Sequence, residues 1–89
     1  MPKVSIITTF YNSSGTLMDS IMSIINSNFE NFEIVLVDDG SVDGSYDIAN
    51  AVNDKRLQLF KPGRIGRAAA LNYGLKKSKG EYIAILDAD

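Results

Sequence analysis

The chain has 89 residues, 45% of them hydrophobic and 22% charged, with a formal net charge of −2. This is the composition of one globular domain; it excludes a disordered tail or a coiled coil, and it gives no basic footprint for nucleic acid. There is no cysteine and no histidine, so disulfides and thiolate zinc sites are excluded, a cytoplasmic chain is expected, and any metal has to be held by oxygen.

The first apolar run covers residues 4–9 and follows Met1-Pro2-Lys3 without a signal-peptide pattern. It is nearly continuous rather than alternating, as suits a strand buried on both faces. Leu17, Ile21, Ile24 and Ile25 then form one helical stripe, with Ser13 or Ser14 as the expected cap. A second continuous run covers 32–37. A helix is expected over 43–53, with Ile48, Ala49 and Val52 inward and Ser41 as its cap. A short run at 57–60 precedes a third helix over 66–78, with Ala68, Leu71 and Leu75 inward and Lys76, Lys77 and Lys79 at its end. Gly80 is placed to close it in the left-handed conformation. The last apolar run, 82–86, leads into Asp87-Ala88-Asp89.

The order β-α-β-α-β-α-β predicts an α/β fold, a Rossmann-like three-layer α/β/α arrangement with a mainly parallel four-stranded sheet and right-handed crossovers. Ligands of such sheets bind beyond the carboxyl ends of the strands. The residues leaving those ends are polar. Thr9-Phe10-Tyr11-Asn12 follows the first run, and an aromatic there can stack on a base; Phe10 is the better candidate for the core. Asp38-Asp39-Gly40-Ser41 follows the second. A carboxylate at that point can accept the imide N–H of uracil or the ring N–H of guanine, but nothing from N3 of cytosine, which is itself an acceptor. Gly63-Arg64-Ile65-Gly66-Arg67 precedes the third helix, where a helix N-terminus and an arginine can meet a phosphate; it matches neither the dinucleotide fingerprint nor a P-loop. Asp87 and Asp89, in alternate positions after a buried strand, suit a hard cation such as Mn²⁺ or Mg²⁺ that bridges to phosphates.

In this order and at this spacing, the segments 4–12, 33–41, 67–74 and 80–89 resemble the family 2 glycosyltransferases of the GT-A fold. The resemblance covers essentially the whole chain. It implies that residues 1–89 are the N-terminal, nucleotide-sugar-binding part of a GT-A domain, cut short at the D-x-D motif, with the acceptor part absent. It also implies site residues. Thr9 and Tyr11 line the nucleobase pocket, Asp39 accepts the uracil imide proton, Arg67 lies near the base or phosphates, Asp87 sits by the ribose or sugar, and Asp89 binds the Mn²⁺ or Mg²⁺ that bridges the diphosphate of a UDP-sugar. Transfer to a sugar or lipid-linked acceptor would go with inversion. The base that activates the acceptor hydroxyl would lie beyond residue 89, so no catalytic residue is assigned here. The chain alone is then expected to bind nucleotide weakly or not at all and to transfer no sugar. An exposed fourth strand would favour self-association. Bacterial surface polysaccharide assembly is the usual context of the family, and a membrane-associated full-length protein stays open.

Two competing functions fit part of the pattern. A receiver-type phosphoacceptor domain would use Asp38, Asp39 and Asp87. A binding-only nucleotide domain would use the same pocket without catalysis. Against the receiver stand a full strand and helix before the acid pair and the absence of a receiver role for residues 9–12.

Overall fold

The computed structural model describes residues 2–27 and 31–88. Its elements run β1 (Val4–Phe10), α1 (Leu17–Ile25), β2 (Phe32–Asp38), α2 (Ser45–Asn50), β3 (Leu57–Phe60), α3 (Arg67–Lys77) and β4 (Tyr82–Ile85). The four strands form one parallel sheet in the order β3-β2-β1-β4. The expected α/β architecture and element order are therefore observed.

The two central strands are the continuous apolar runs. Every residue of β2 is buried, because helices cover both faces. On one face, Ile6, Phe10, Ile34 and Leu36 pack against Leu17, Ile21 and Ile24 of α1 and Ala49 of α2. On the other, Ile7, Val35 and Val37 meet Ala70 of α3. This split follows from right-handed crossovers: β1 to β2 to β3 steps in one direction and keeps α1 and α2 on one side, while β3 to β4 steps back across the sheet and puts α3 on the other. The reversal of direction lies between β1 and β4, the place where open parallel sheets bind ligands.

Four local expectations change. The cap position of α1 is Thr16, which makes no side-chain cap bond, and the backbone carbonyl of Ser13 accepts the N–H groups of Thr16 and Leu17. The second helix is shorter than expected. It starts at Ser45 after a left-handed Gly44, and Asp43 rather than Ser41 receives its first N–H, from Ser45. The buried face of α3 is Ala70 and Gly74, with the half-buried Leu71 packed beside them as expected, whereas Ala68 and Leu75 are exposed. Gly80 is not left-handed; it is glycine because a Cβ there would lie 2.5 Å from the Ser5 N and Oγ atoms.

At the amino end of the sheet, the buried Glu33 carboxylate accepts bonds from the Ser5 hydroxyl, the Gln58 amide and the Lys79 N–H. Burial alone would raise its pKa, but these bonds and the Lys79 charge outweigh it and hold it below 4.5. Asp43, chiefly through the Ser45 hydroxyl, and Asp54, chiefly through Arg56, are both held at about 2. All three are depressed, so their contribution is fully present above the unfolded values near 4.5 and 3.8 and is lost as pH falls toward 2. Denaturant midpoints measured across pH 2–6 are expected to fall over that window (roughly the unfolded-to-folded span of the cited groups). Glu33→Gln should flatten the upper part of the profile and lower stability by about 1–3 kcal/mol. An unchanged midpoint in the variant would contradict the assignment of this carboxylate as a buried acceptor.

Candidate nucleotide site

The loops that leave β1 and β2 are tied to each other before they reach the site. Asn12 adopts a left-handed φ of 49°, a conformation asparagine tolerates better than most residues. Its N–H donates to Ser41 Oγ, and its side-chain Oδ1 accepts from the Val42 N–H. The Ser13 and Ser14 N–H groups donate to Ser45 Oγ and Asp43 Oδ2. Ser41, expected as a helix cap, therefore joins two loops instead. The effect is to turn Phe10 into the core, 3% exposed, and to leave Tyr11 facing outward.

Asp39 follows β2 and is almost wholly buried. Its Oδ1 accepts two backbone bonds, from Ile65 N at 2.8 Å and Gly66 N at 2.9 Å. Its Oδ2 accepts one, from Arg64 Nη1 at 2.6 Å. The loop before α3 is thereby fastened to the end of β2. Gly40, at φ +82°, completes the fit, since a Cβ there would lie 2.9 Å from Cβ of Arg64. The Arg64 guanidinium lies over the Tyr11 ring, 3.7 Å from its centroid.

Thr9, Tyr11, Asp39, Arg67 and Asp87, the site residues expected from sequence, all line one cleft of about 500 Å³ at the carboxyl ends of β1 and β4, a size that suits a small-molecule ligand. Arg67 at the start of α3 bonds Asp87 at 2.9 Å, with both side chains exposed. Such a pair contributes little to stability and is free to exchange partners with a ligand. Asp89, the expected metal ligand, lies outside the described residues. Among the described residues no group of three or more acidic side chains could hold a metal ion.

Arg64 is the residue that sequence pattern undervalued. Only its place in a glycine-bounded loop marked it, whereas its stacking on Tyr11 depends on a contact 53 positions away along the chain. The receiver alternative does not survive the geometry. Asp38 is fully buried with Oδ1 on the Ser41 N–H, Asp39 is bound to the loop before α3, and Asp87 is paired with Arg67. The three do not form an acidic cluster.

Comparison with known proteins agrees with this architecture. Two curated relatives match the chain from end to end: a glycosyltransferase of Haemophilus influenzae, 46% identical over 100% of this chain and 37% of its own length, and the Escherichia coli UDP-Glc:alpha-D-GlcNAc-diphosphoundecaprenol beta-1,3-glucosyltransferase WfaP, 40% identical over 100% and 36%. The chain thus spans little more than a third of each. Among solved structures, S. aureus TarS 1-349 in complex with UDP-GlcNAc superposes with a TM-score of 0.91 at 29% identity, covering 98% of this chain and 26% of that one. The mannosyltransferase PcManGT of Pyrobaculum calidifontis, in complex with GDP-Man and Mn²⁺, gives 0.88 at 32% identity, covering 99% and 28%. The family model described as glycosyl transferase family 2 matches residues 5–89, and the chain belongs to that family.

Proposed function

We propose that the chain is the donor-binding part of an enzyme that transfers a sugar from a UDP-sugar to an acceptor hydroxyl, with inversion. The observation that carries this is the Asp39 carboxylate, buried at the wall of the cleft with Oδ2 bonded to the Arg64 guanidinium, which itself lies over the Tyr11 ring. Uracil offers one imide N–H for such an acceptor and a flat face for the Tyr11 ring. Arg67 and Asp87 lie at the part of the cleft between β1 and β4, where a diphosphate and its sugar would extend. Asp89, with Asp87 beside it, would hold Mn²⁺ or Mg²⁺, which would neutralise the leaving diphosphate. The general base and the acceptor site belong to residues beyond these, so the chain alone transfers no sugar.

Asp39 also bears on the choice of base. Guanine presents two adjacent donors, N1–H and the N2 amino group, and is best met by both oxygens of one carboxylate. Here Oδ1 already accepts two backbone N–H groups, so Oδ2, which carries a single bond from Arg64, is the one oxygen with room for a base. Uracil needs only one acceptor. Calorimetry in the presence of Mn²⁺ is expected to give weak binding of UDP, favoured over GDP by at least about ten-fold, or 1.4 kcal/mol. Equal affinities would overturn the uracil assignment, as would tighter binding of GDP.

The outer strand β4 supports the expected self-association. Tyr82, Ile83 and Ile85 are exposed, and β4 pairs on one side only, with β1. A parallel edge of this kind with apolar neighbours invites pairing between chains. Light scattering should show a mass that rises with concentration; a constant monomer mass at high concentration would refute it.

A further inference from the structure

The Arg64 side chain makes the two contacts that the proposed ligand's base would make. A uracil ring would lay a flat π face on Tyr11 and donate one N–H to Asp39 Oδ2. The Arg64 guanidinium, itself flat, lies 3.7 Å from the Tyr11 ring centroid and donates Nη1–H to that same oxygen at 2.6 Å. We propose that Arg64 is an internal stand-in for the nucleobase: it fills the base seat of the free protein and leaves it when the nucleotide binds. The inference rests on the uridine assignment made for Tyr11 and Asp39 above.

Three features give this displacement a defined form. The backbone of the Arg64 loop is fixed from outside the side chain, by the bonds of Ile65 N and Gly66 N to Asp39 Oδ1 and by the close approach of Gly40. The loop therefore keeps its place whether or not the guanidinium is seated. The side chain is 56% exposed, whereas that of Asp39 is 4% exposed. Arg64 can swing into solvent by rotation about its own bonds, and the acceptor it leaves behind stays buried. Finally, among the described residues the guanidinium's hydrogen bonds go to Asp39, to Oδ2 and, at 3.4 Å, to the backbone carbonyl, so one rotation releases both. A seat occupied in this way protects a buried carboxylate from being left unpaired. It also lowers the apparent affinity for the base by the fraction of time the seat is open.

The test uses uridine, which lacks phosphate, so that any attraction between Arg64 and a diphosphate does not enter. In NMR spectra of the full chain, the Arg64 δ-protons are expected to be shifted upfield by the Tyr11 ring and to return toward ordinary values as uridine is added. Arg64→Ala is expected to bind uridine about ten-fold more tightly, as for a seat open roughly a tenth of the time. Ordinary Arg64 shifts in the free protein would overturn the proposal. So would uridine binding that leaves those shifts unchanged, or an Arg64→Ala variant that binds uridine no better than the parent. In those last two cases Arg64 is a wall of the base site and the uridine assignment stands. If a folded Arg64→Ala chain binds no uridine although Arg64 is stacked in the parent, the uridine assignment fails, and the stand-in role fails with it.

Discussion

Replacing Asp39 by asparagine is expected to lower affinity for UDP by at least about 100-fold, equivalent to 2.7 kcal/mol, and to destabilise the domain by a further 1–3 kcal/mol, about the effect of leaving buried polar partners unsatisfied. Both effects come from one change in hydrogen-bonding capacity. A carboxylate accepts at both oxygens, whereas an amide accepts at one and donates at the other. If the asparagine oxygen takes the place of Oδ1, it keeps the Ile65 and Gly66 N–H groups. Its amino group then faces the position of the uracil imide, donor against donor, and loses Arg64. If it flips, the base is accepted but the loop before α3 loses its anchor. Sites built to accept a specific N–H discriminate strongly against the wrong donor pattern, because the mismatch leaves polar groups unpaired. Calorimetry with UDP and urea denaturation of the same variant check the two arms. Retained affinity would show that Asp39 anchors the loop without touching the base.

The contrast between legible and illegible features in this sequence is physical. The runs at 4–9 and 32–37 are continuous because helices cover both faces of the two central strands, and an apolar run is visible without any knowledge of its neighbours. The stripe Leu17, Ile21, Ile24 is visible for the same reason, and all three residues are buried. The exits of the strands are readable too, because parallel topology brings every carboxyl end to one edge of the sheet. That is why Thr9, Tyr11, Asp39, Arg67 and Asp87 meet in one cleft.

Close approach is what sequence pattern hides. Of the residues expected inward on α3, Leu71 packs against the core while Ala68 and Leu75 are exposed; the helix lies so near the sheet that a Cβ on Gly74 would come within 2.8 Å of the Ile7 side chain. A glycine contributes nothing to hydrophobic periodicity, so the face that packs most tightly is the one that periodicity cannot register. The anchoring of residues 64–66 by Asp39 is hidden for a different reason. Its backbone part joins positions 26 and 27 residues apart through N–H groups, which every residue except proline possesses.

The same kind of close approach gives Gly80 the largest expected effect on stability. Gly80→Ala should destabilise by about 3 kcal/mol, the sum of an overpacking strain of roughly 1–3 kcal/mol and a lost hydrogen bond of about 1 kcal/mol. The chain re-enters the sheet here over the start of β1. Gly80 N donates to Ser5 Oγ at 2.7 Å, and Tyr82 N donates to the Lys3 carbonyl at 2.9 Å. A new Cβ would lie 2.5 Å from Ser5 N and Oγ and 2.8 Å from the Val4 carbonyl carbon. Two of these three atoms are backbone in a central strand, so relief requires moving β4 away from β1 rather than rotating a side chain. Moving it also strains the Ser5–Glu33–Lys79 bonds at the same end of the sheet. In a domain of this size, about 3 kcal/mol corresponds to a fall in Tm of roughly 12–24 °C. Gly15→Ala is the control. Gly15 has nothing within 4 Å of a built Cβ and no positive φ, so it should stay within about 0.5 kcal/mol of the parent. Equal melting temperatures for the two variants would show that the start of β1 yields freely, and that Gly80 is not held by close approach.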